Sequence, residues 1–247
     1  MKSIKQPLLN ARVNSLTLAE VQAEIRRAIR EKRPMYIVEV NTDVLVKMEK
    51  DAFLRQIADQ AALTLVDGKP LIWLSRLLKR PVKEKISGAD LALTLCRAAP
   101  ETGDRIFLLG GKEGVARQAR ENLEKSYPGI TIAGEYAPPF GFENDEEELA
   151  RIRAIVKNAH PDVVLACFGC PKQEKWVYDN YRRVGASVCL CAGATVDFLA
   201  GQVRRAPRWM SDAGLEWFYR FLKEPRRLFR RYFVEDLRIL KLIFKYR

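Results

Sequence analysis

Long uninterrupted apolar runs are missing from this chain: no stretch approaches the roughly 18 uncharged apolar residues of a membrane-spanning helix. The opening MKSIKQPLLNARVNSLTLAE has no apolar h-region of a secretory signal. The expectation is a cytosolic protein that touches a membrane, if at all, from one side. Histidine is nearly absent as well. The single His160, just before Pro161 in a turn-like segment, reads as a loop residue rather than a catalytic base. Cysteine is limited to Cys96, Cys167, Cys170, Cys189 and Cys191, and without a secretory signal these are expected to be reduced thiols. The spacing Cys167-x-x-Cys170 followed by Cys189-x-Cys191 invites a zinc reading. It fits poorly, because Cys167, Cys189 and Cys191 lie in the strand-like runs VVLACF and SVCLCA, where free Cys serves as a small buried hydrophobe. No metal ligand is therefore assigned. Two phosphate motifs are also lacking, G-x-G-x-x-G and G-x-x-x-x-G-K-[ST], which speaks against hydride transfer and NTP hydrolysis.

What is abundant is positive charge, and it is unevenly placed. Of a net +12, residues 204–247 carry +8, from 13 Lys and Arg against five Asp and Glu. Ten of the 23 aromatic residues share that stretch. Charge and amphipathic rings together suit an anionic surface. On a uniform helix Leu228, Phe229, Tyr232, Ile239, Leu240 and Ile243 fall within about a third of the circumference, with Arg227, Arg230, Arg231, Arg238, Lys241 and Lys245 opposite. Two readings stand: an interfacial helix on a membrane, or a helix docked on its own domain with a solvated basic face. At 247 residues and 48% hydrophobic composition the chain can bury one substantial core and a small appendage. The composition shift near Val203 divides it into a core over 1–203 and an appendage over 204–247.

Along the core, helical and strand-like patterns alternate. Helices are predicted over 18–32, 43–58, the Leu/Trp-rich stretch after Gly68, 89–99, 112–126, 144–159 and 172–184; strands over 35–40, 62–66, 105–111, 130–136, 162–169 and 187–194. Strands alternating with helices of 10 to 17 residues imply βαβ units. The expected fold class is α/β: Rossmann-like, a mostly parallel sheet of about six strands with helices on both faces, plus a basic amphipathic helical C-terminal appendage.

In such sheets ligands bind outside the carboxyl ends of the strands. There the sequence places Asn41-Thr42-Asp43, Asp67-Gly68, Gly110-Gly111, Gly169-Cys170-Pro171-Lys172-Gln173-Glu174 and Gly193-Ala194-Thr195-Val196-Asp197. Gly110-Gly111 before a helix can present amide N–H groups to a diphosphate, or simply turn a strand into a helix. Asp67 is the best single catalytic candidate, because a carboxylate at a strand end can take a proton from an attacking hydroxyl. An Asp-Gly turn is the plain alternative.

Taken together, N-T-D at 41–43, V-D-G-K-P at 66–70, K-I-S-G-A-D at 85–90, F-L-L-G-G at 107–111, F-G-C-P-K-Q-E-K-W at 168–176, A-G-A-T-V-D-F-L-A-G at 192–201 and R-A-P-R-W-M-S-D-A-G-L-E-W-F-Y-R at 205–220 resemble the WecG/TagA/CpsF family of glycosyltransferases. The resemblance spans roughly residues 35 to 235 in the family's motif order. It implies inverting transfer of a hexose, hexuronic acid or N-acetylhexosamine-type sugar from a UDP-sugar to an acceptor carried on a polyprenyl diphosphate. The place would be the inner face of the cell membrane, in teichoic acid, enterobacterial common antigen, capsule or exopolysaccharide synthesis.

On the same basis Asp67 is the expected general base, and Asn41, Thr42, Gly68, Lys85, Gly110, Gly111, Gly169, Pro171, Gln173, Glu174, Gly193, Asp197, Arg205, Arg208 and Arg220 are expected to bind substrate. The three arginines would be brought to the site by an appendage that also contacts anionic membrane. The family also suggests self-association. No cofactor or metal is implied, in keeping with the absence of D-x-D, and no nucleic acid is expected. Two positions depart from the teichoic-acid members: Glu39 stands where Thr is usual, and Lys85 where Arg is usual. Lys does not reproduce the planar two-pronged donation of Arg, so glucosyl or glucuronosyl transfer for an exopolysaccharide enters the range of activities. Competing readings are a nucleotide-binding module whose basic tail grips nucleic acid or membrane without catalysis, and an inert membrane scaffold.

Overall fold

A computed structural model describes residues 4–203, 206–207, 209–210, 214–223 and 225–246; of these, the side chains of Glu216, Arg220, Arg227 and Arg231 are not described. The fold opens with an antiparallel hairpin, β1 (Lys5–Leu8) and β2 (Ala11–Asn14), that the period-2 signal of so short a segment does not reveal. It is tied to the core by polar contacts. Asn14 Oδ1 accepts from Thr64 N at 2.7 Å, and Lys5 Nζ donates to the carbonyls of Ala58, Asp59 and Ala61 at 2.7 to 3.0 Å. Lys5 thus supplies the donors that the C-terminus of a helix lacks, and burial pulls its ammonium down to about 8.

Six strands follow: β3 (Met35–Val40), β4 (Leu63–Val66), β5 (Arg105–Gly110), β6 (Thr131–Tyr136), β7 (Val163–Cys167) and β8 (Val188–Cys191). They pair in the order β4-β3-β8-β7-β5-β6, and every pairing is parallel. This is the expected α/β sheet, strand for strand. Its residues alternate between two cores. Ile37, Leu63, Leu65, Ile106, Leu108, Leu165 and Leu190 face α1 (Leu18–Arg30), α5 (Gly88–Thr102) and α6 (Val115–Ser126). Val38, Val40, Val66, Phe107, Leu109, Val164 and Cys189 face α2 (Thr42–Met48), α3 (Ala52–Gln60), α7 (Glu146–Asn158) and α8 (Lys172–Asn180). A sheet covered on both faces needs apolar residues at nearly every strand position, which is why these strands read as runs rather than alternations. The remaining core helices are α4 (Lys69–Leu77) and the short α9 (Thr195–Leu199).

The predicted 43–58 helix is two helices. Asp51, extended at φ −119°, ends one and caps the next by accepting from Leu54 N at 2.9 Å.

The appendage holds α10 (Glu216–Lys223), α11 (Pro225–Arg230), a π turn over 231–235, a 3-10 turn over 236–238 and α12 (Ile239–Tyr246). The single stripe expected of a uniform helix is divided. Leu228 and Leu242 are both buried, Leu242 within the sheet's core, and Ile239, Ile243 and Tyr246 pack against that core, while Phe229 and Leu240 point outward at 56% and 52% exposure. The wide and tight turns at 231–238 change the residues per turn, so the 100° projection loses phase across them. Among the described residues no helix is long and apolar enough to cross a membrane.

Candidate active site

The carboxyl ends of β4, β3, β8, β7 and β5 open into a cavity of about 1290 Å³. Local structure sets its walls. Asn41, extended at φ −122°, caps α2 by accepting from Val44 N at 3.1 Å. Asp67 N donates to Val40 O at 2.9 Å, so the Asp67-Gly68 turn stands level with Asn41 at the ends of the adjacent strands. Gly68, at φ +116°, holds the conformation that lets the chain enter α4, whose Pro70 suits a helix start. Ile86 N donates to Val66 O at 2.9 Å, which draws the 85–88 segment across the end of β4.

Gln173 organises the other side. Its Oε1 accepts from Gly169 N at 3.1 Å and Gly193 N at 3.0 Å, joining the loops after β7 and β8, while its Nε2 donates to Glu174 Oε1 at 2.8 Å. Glu174 is 1% exposed. Burial pushes its carboxyl above the usual glutamate range, against the Gln173 amide, which favours the charged form. Lys47 Nζ donates to Asp43 Oδ2 at 2.8 Å and to Cys170 O at 3.1 Å. Lys85 lies 3.4 Å from Asp90 Oδ2, and Ser87 Oγ donates to the same oxygen at 2.6 Å.

Of the residues singled out from sequence, Asn41, Thr42, Asp67, Gly68, Lys85, Gly169, Gln173, Glu174, Gly193 and Asp197 line this cavity together. Three others sit elsewhere. A Cβ on Gly110 would lie 2.6 Å from Cys167 O, and one on Gly111 2.9 Å from Val196 Cγ1; here the missing side chains allow close packing behind the cleft. Pro171, which follows a cis peptide, lines a separate hollow beside Trp176. Arg205 and Arg208 lie outside the described residues, as does the side chain of Arg220.

The cavity also recruits residues outside the expected site set. Lys47, Lys69 and Lys112 bring cations from the last turn of α2, the start of α4 and the turn after Gly111, while Trp217, Tyr232, Phe233 and Leu237 close it from the appendage. The lysines were legible as neighbours of the strand-end glycines and carboxylates; the appendage residues carry no local signal of where they dock. Cys167, Cys189 and Cys191 are buried within the sheet, and burial pushes the Cys167 and Cys189 thiols up to about 12. Among the described residues no group of three or more His, Cys, Asp or Glu is placed to hold a metal ion.

Residues 6–247 match the glycosyl transferase WecG/TagA/CpsF family across nearly the whole chain. The chain belongs to that family. It is 32% identical over 216 residues to the N-acetylglucosaminyldiphosphoundecaprenol N-acetyl-beta-D-mannosaminyltransferase of Bacillus subtilis, covering 87% of this chain and 82% of the relative. A protein of the same name from Bacillus spizizenii is 29% identical over 80% of this chain and 74% of its own, and one from Staphylococcus aureus 25% identical over 91% and 87%. The cavity of this WecG/TagA/CpsF member is therefore the candidate active site of a glycosyltransferase. Its polar floor of carboxylates and lysines, roofed by aromatic residues, suits a ligand with a charged head and an apolar tail.

Proposed function

We propose that this transferase moves a hexose, hexuronic acid or N-acetylhexosamine-type sugar from a UDP-sugar to an acceptor sugar on a polyprenyl diphosphate, with inversion at the anomeric carbon. The observation that carries the reading is Asp67, a carboxylate at a strand end on the floor of a cavity that gathers Lys47, Lys69, Lys85 and Lys112 around it. In the reaction a hydroxyl oxygen of the acceptor forms a bond to the anomeric carbon as that carbon's bond to the UDP oxygen breaks. Asp67 takes the hydroxyl proton, and the electron pair leaves with UDP. Lysines and strand-end amides stabilise the diphosphate charge as it grows. Asn41 and Gln173 fix the strand-end loops that shape the sugar pocket, and the family resemblance assigns Arg205, Arg208 and Arg220 to substrate binding beside them.

The appendage supports a second part of the reading, peripheral contact with an anionic membrane on its cytoplasmic side. Phe229, Phe233, Leu237, Leu240 and Phe244 form a stripe 42% to 81% exposed, among exposed Lys223, Arg226, Arg230, Arg238 and Lys241. Phe233 and Leu237 belong both to this stripe and to the cavity wall, so a lipid chain held by the stripe would lead its diphosphate toward Asp67.

The test is a panel of UDP-sugars incubated with the protein, vesicles and a polyprenyl-diphosphate-linked monosaccharide, scored for UDP release and lipid extension. Extension with one donor is expected and would name its sugar. No extension with any donor across N-acetylglucosamine- and glucose-bearing acceptors would overturn the proposal.

A further inference from the structure

Glu39 is an exception to its strand. In β3 the residues that face the α5 side run Met35, Ile37, Glu39, and the first two are buried in the core there. The partner strand continues the row, since Glu39 pairs with Leu65 and Asp67 follows two positions on, on the same face. A carboxyl at such a position carries a desolvation cost and calls for a reason. Space has been made for it: a Cβ on Gly88 would lie 2.6 to 2.9 Å from three atoms of the Glu39 carboxyl group. Glu39 lines the cavity with Asp67, yet its Oε1 is closed from solvent and meets no hydrogen-bond partner.

We propose that Glu39 and Asp67 act as a carboxyl pair in which Glu39 is the neutral member, a positioning residue that leaves Asp67 as the charged one able to accept the hydroxyl proton. This rests on the reading of Asp67 as the base. The surroundings favour that division. Burial first, then the charges of Asp67, Asp90 and Glu174, push the Glu39 carboxyl well above the usual glutamate range, and a hydrogen bond from the Gly88 backbone opposes them only in part. Cys167 and Cys191, behind it on β7 and β8, are themselves held protonated by burial. Lys85, the cation of the 85–90 segment, is engaged with Asp90. Two carboxyl groups that interact strongly lose their protons in separate steps. A second negative charge beside Asp67 would also repel the diphosphate that the site must hold.

The pair predicts an alkaline limb. Transfer by the wild-type protein should fall at least about ten-fold as Glu39 loses its proton, whereas Glu39→Gln, which keeps the shape and stays neutral, should hold its own neutral-pH rate into the alkaline range. An alkaline limb that persists in Glu39→Gln, or a wild-type profile without one, overturns the proposal. A merely structural role for Glu39 would not remove one limb of a pH profile. A measurement free of turnover separates this from the function itself: the infrared carbonyl band of a protonated carboxyl, identified by its loss in Glu39→Gln. It should be present at neutral pH in the wild-type protein and disappear at lower pH in Asp67→Asn, where the neighbouring charge is gone. Should the protein transfer no sugar, the function proposed above fails, and the band alone decides the pair. Its absence at neutral pH, or a titration unmoved by Asp67→Asn, overturns the pair.

Discussion

In the sheet, Val163, Val164, Leu165, Ala166 and Cys167 of β7 are all buried, whereas in the appendage Phe229, Phe233, Leu237, Leu240 and Phe244 lie mostly open to water. Both regions are rich in apolar residues, and they use them oppositely. The sheet sets its polar exceptions at the carboxyl ends of strands, where Asp67 and Glu39 stand over a well-packed floor. The appendage sets its apolar exceptions on the outside. It spends only Leu242, Ile239, Ile243 and Tyr246 on docking. A polar group left in a core and an apolar stripe left in water are both informative departures from the general pattern of burial. On the reading proposed above, the first marks chemistry and the second a surface to be covered.

Replacing Asp67 by Asn should sharpen the comparison most. Loss of a general base lowers turnover by about two to four orders of magnitude. Since the two side chains are nearly isosteric, the melting temperature and UDP binding should stay close to wild type. Activity within ten-fold of wild type would remove Asp67 from the mechanism. The stripe should answer in the other currency. Changing Phe229 and Phe244 to Ser should weaken binding to anionic vesicles by at least about ten-fold, because each large apolar side chain taken from water contributes roughly 1.5 kcal/mol or more. The core's melting temperature should not move. Unchanged vesicle affinity would refute the membrane reading of the stripe. Cutting the chain at Val203 is a poorer test, since it also uncovers the core beneath Leu242.

A smaller effect follows from the pH dependence of stability. An acid whose folded pKa is raised keeps its proton in the folded protein after the unfolded chain has released it. Stability then falls as pH rises from the ordinary glutamate value of 4.5 through the raised folded value of Glu39, by up to about 1.4 kcal/mol per pH unit within that window. Glu39→Gln should remove this slope, leaving the variant progressively more stable than wild type as pH rises. Thermal unfolding across a pH series checks it, and parallel curves for the two proteins would contradict the buried neutral carboxyl.

Much of this architecture was legible in the sequence because a parallel sheet covered on both faces demands apolar runs, and six such runs separated by helical periods leave little choice of fold. The cleft was legible for the same reason: strand ends are where polar residues can stand. What escaped depended on tertiary packing. The β1–β2 hairpin is four residues a strand, too short for its buried Leu8, Ala11 and Val13 to show a period, and Lys5 and Asn14 add contacts that no pattern reveals. Gly110 and Gly111 could be read as an anion-binding turn, but their close approach to Cys167 and Val196 could not be read from the sequence. Glu39 was visible as a departure from the Thr usual in the teichoic-acid members, while its close approach to Gly88, nearly fifty positions away, was not. In the appendage a helical projection assumed one period, and the turns at 231–238 have others.

The contact that holds the appendage to the core provides the smallest and most local test. Glu49, at the end of α2, accepts from Lys245 Nζ at 2.6 Å, Tyr246 Oη at 3.1 Å and Asn10 Nδ2 at 3.2 Å, with the Arg55 guanidinium 3.5 Å away. The Lys245 hydrogen bond, the largest influence, holds the Glu49 carboxyl below its usual range. The sign is therefore opposite to that of Glu39: the stabilisation is present at neutral pH and is lost as pH falls through the lowered value. The Lys245 side chain is 61% exposed, so solvent and salt screen the pair. Glu49→Gln should cost less than about 1 kcal/mol globally. Its effect should concentrate in α12, whose Ile239 lines the cavity: hydrogen exchange over 239–246 should quicken while exchange in the sheet stays the same. Uniformly faster exchange would instead make Glu49 part of the core's own stability, and equal exchange everywhere would mean that Leu242 and its apolar neighbours hold the helix without help.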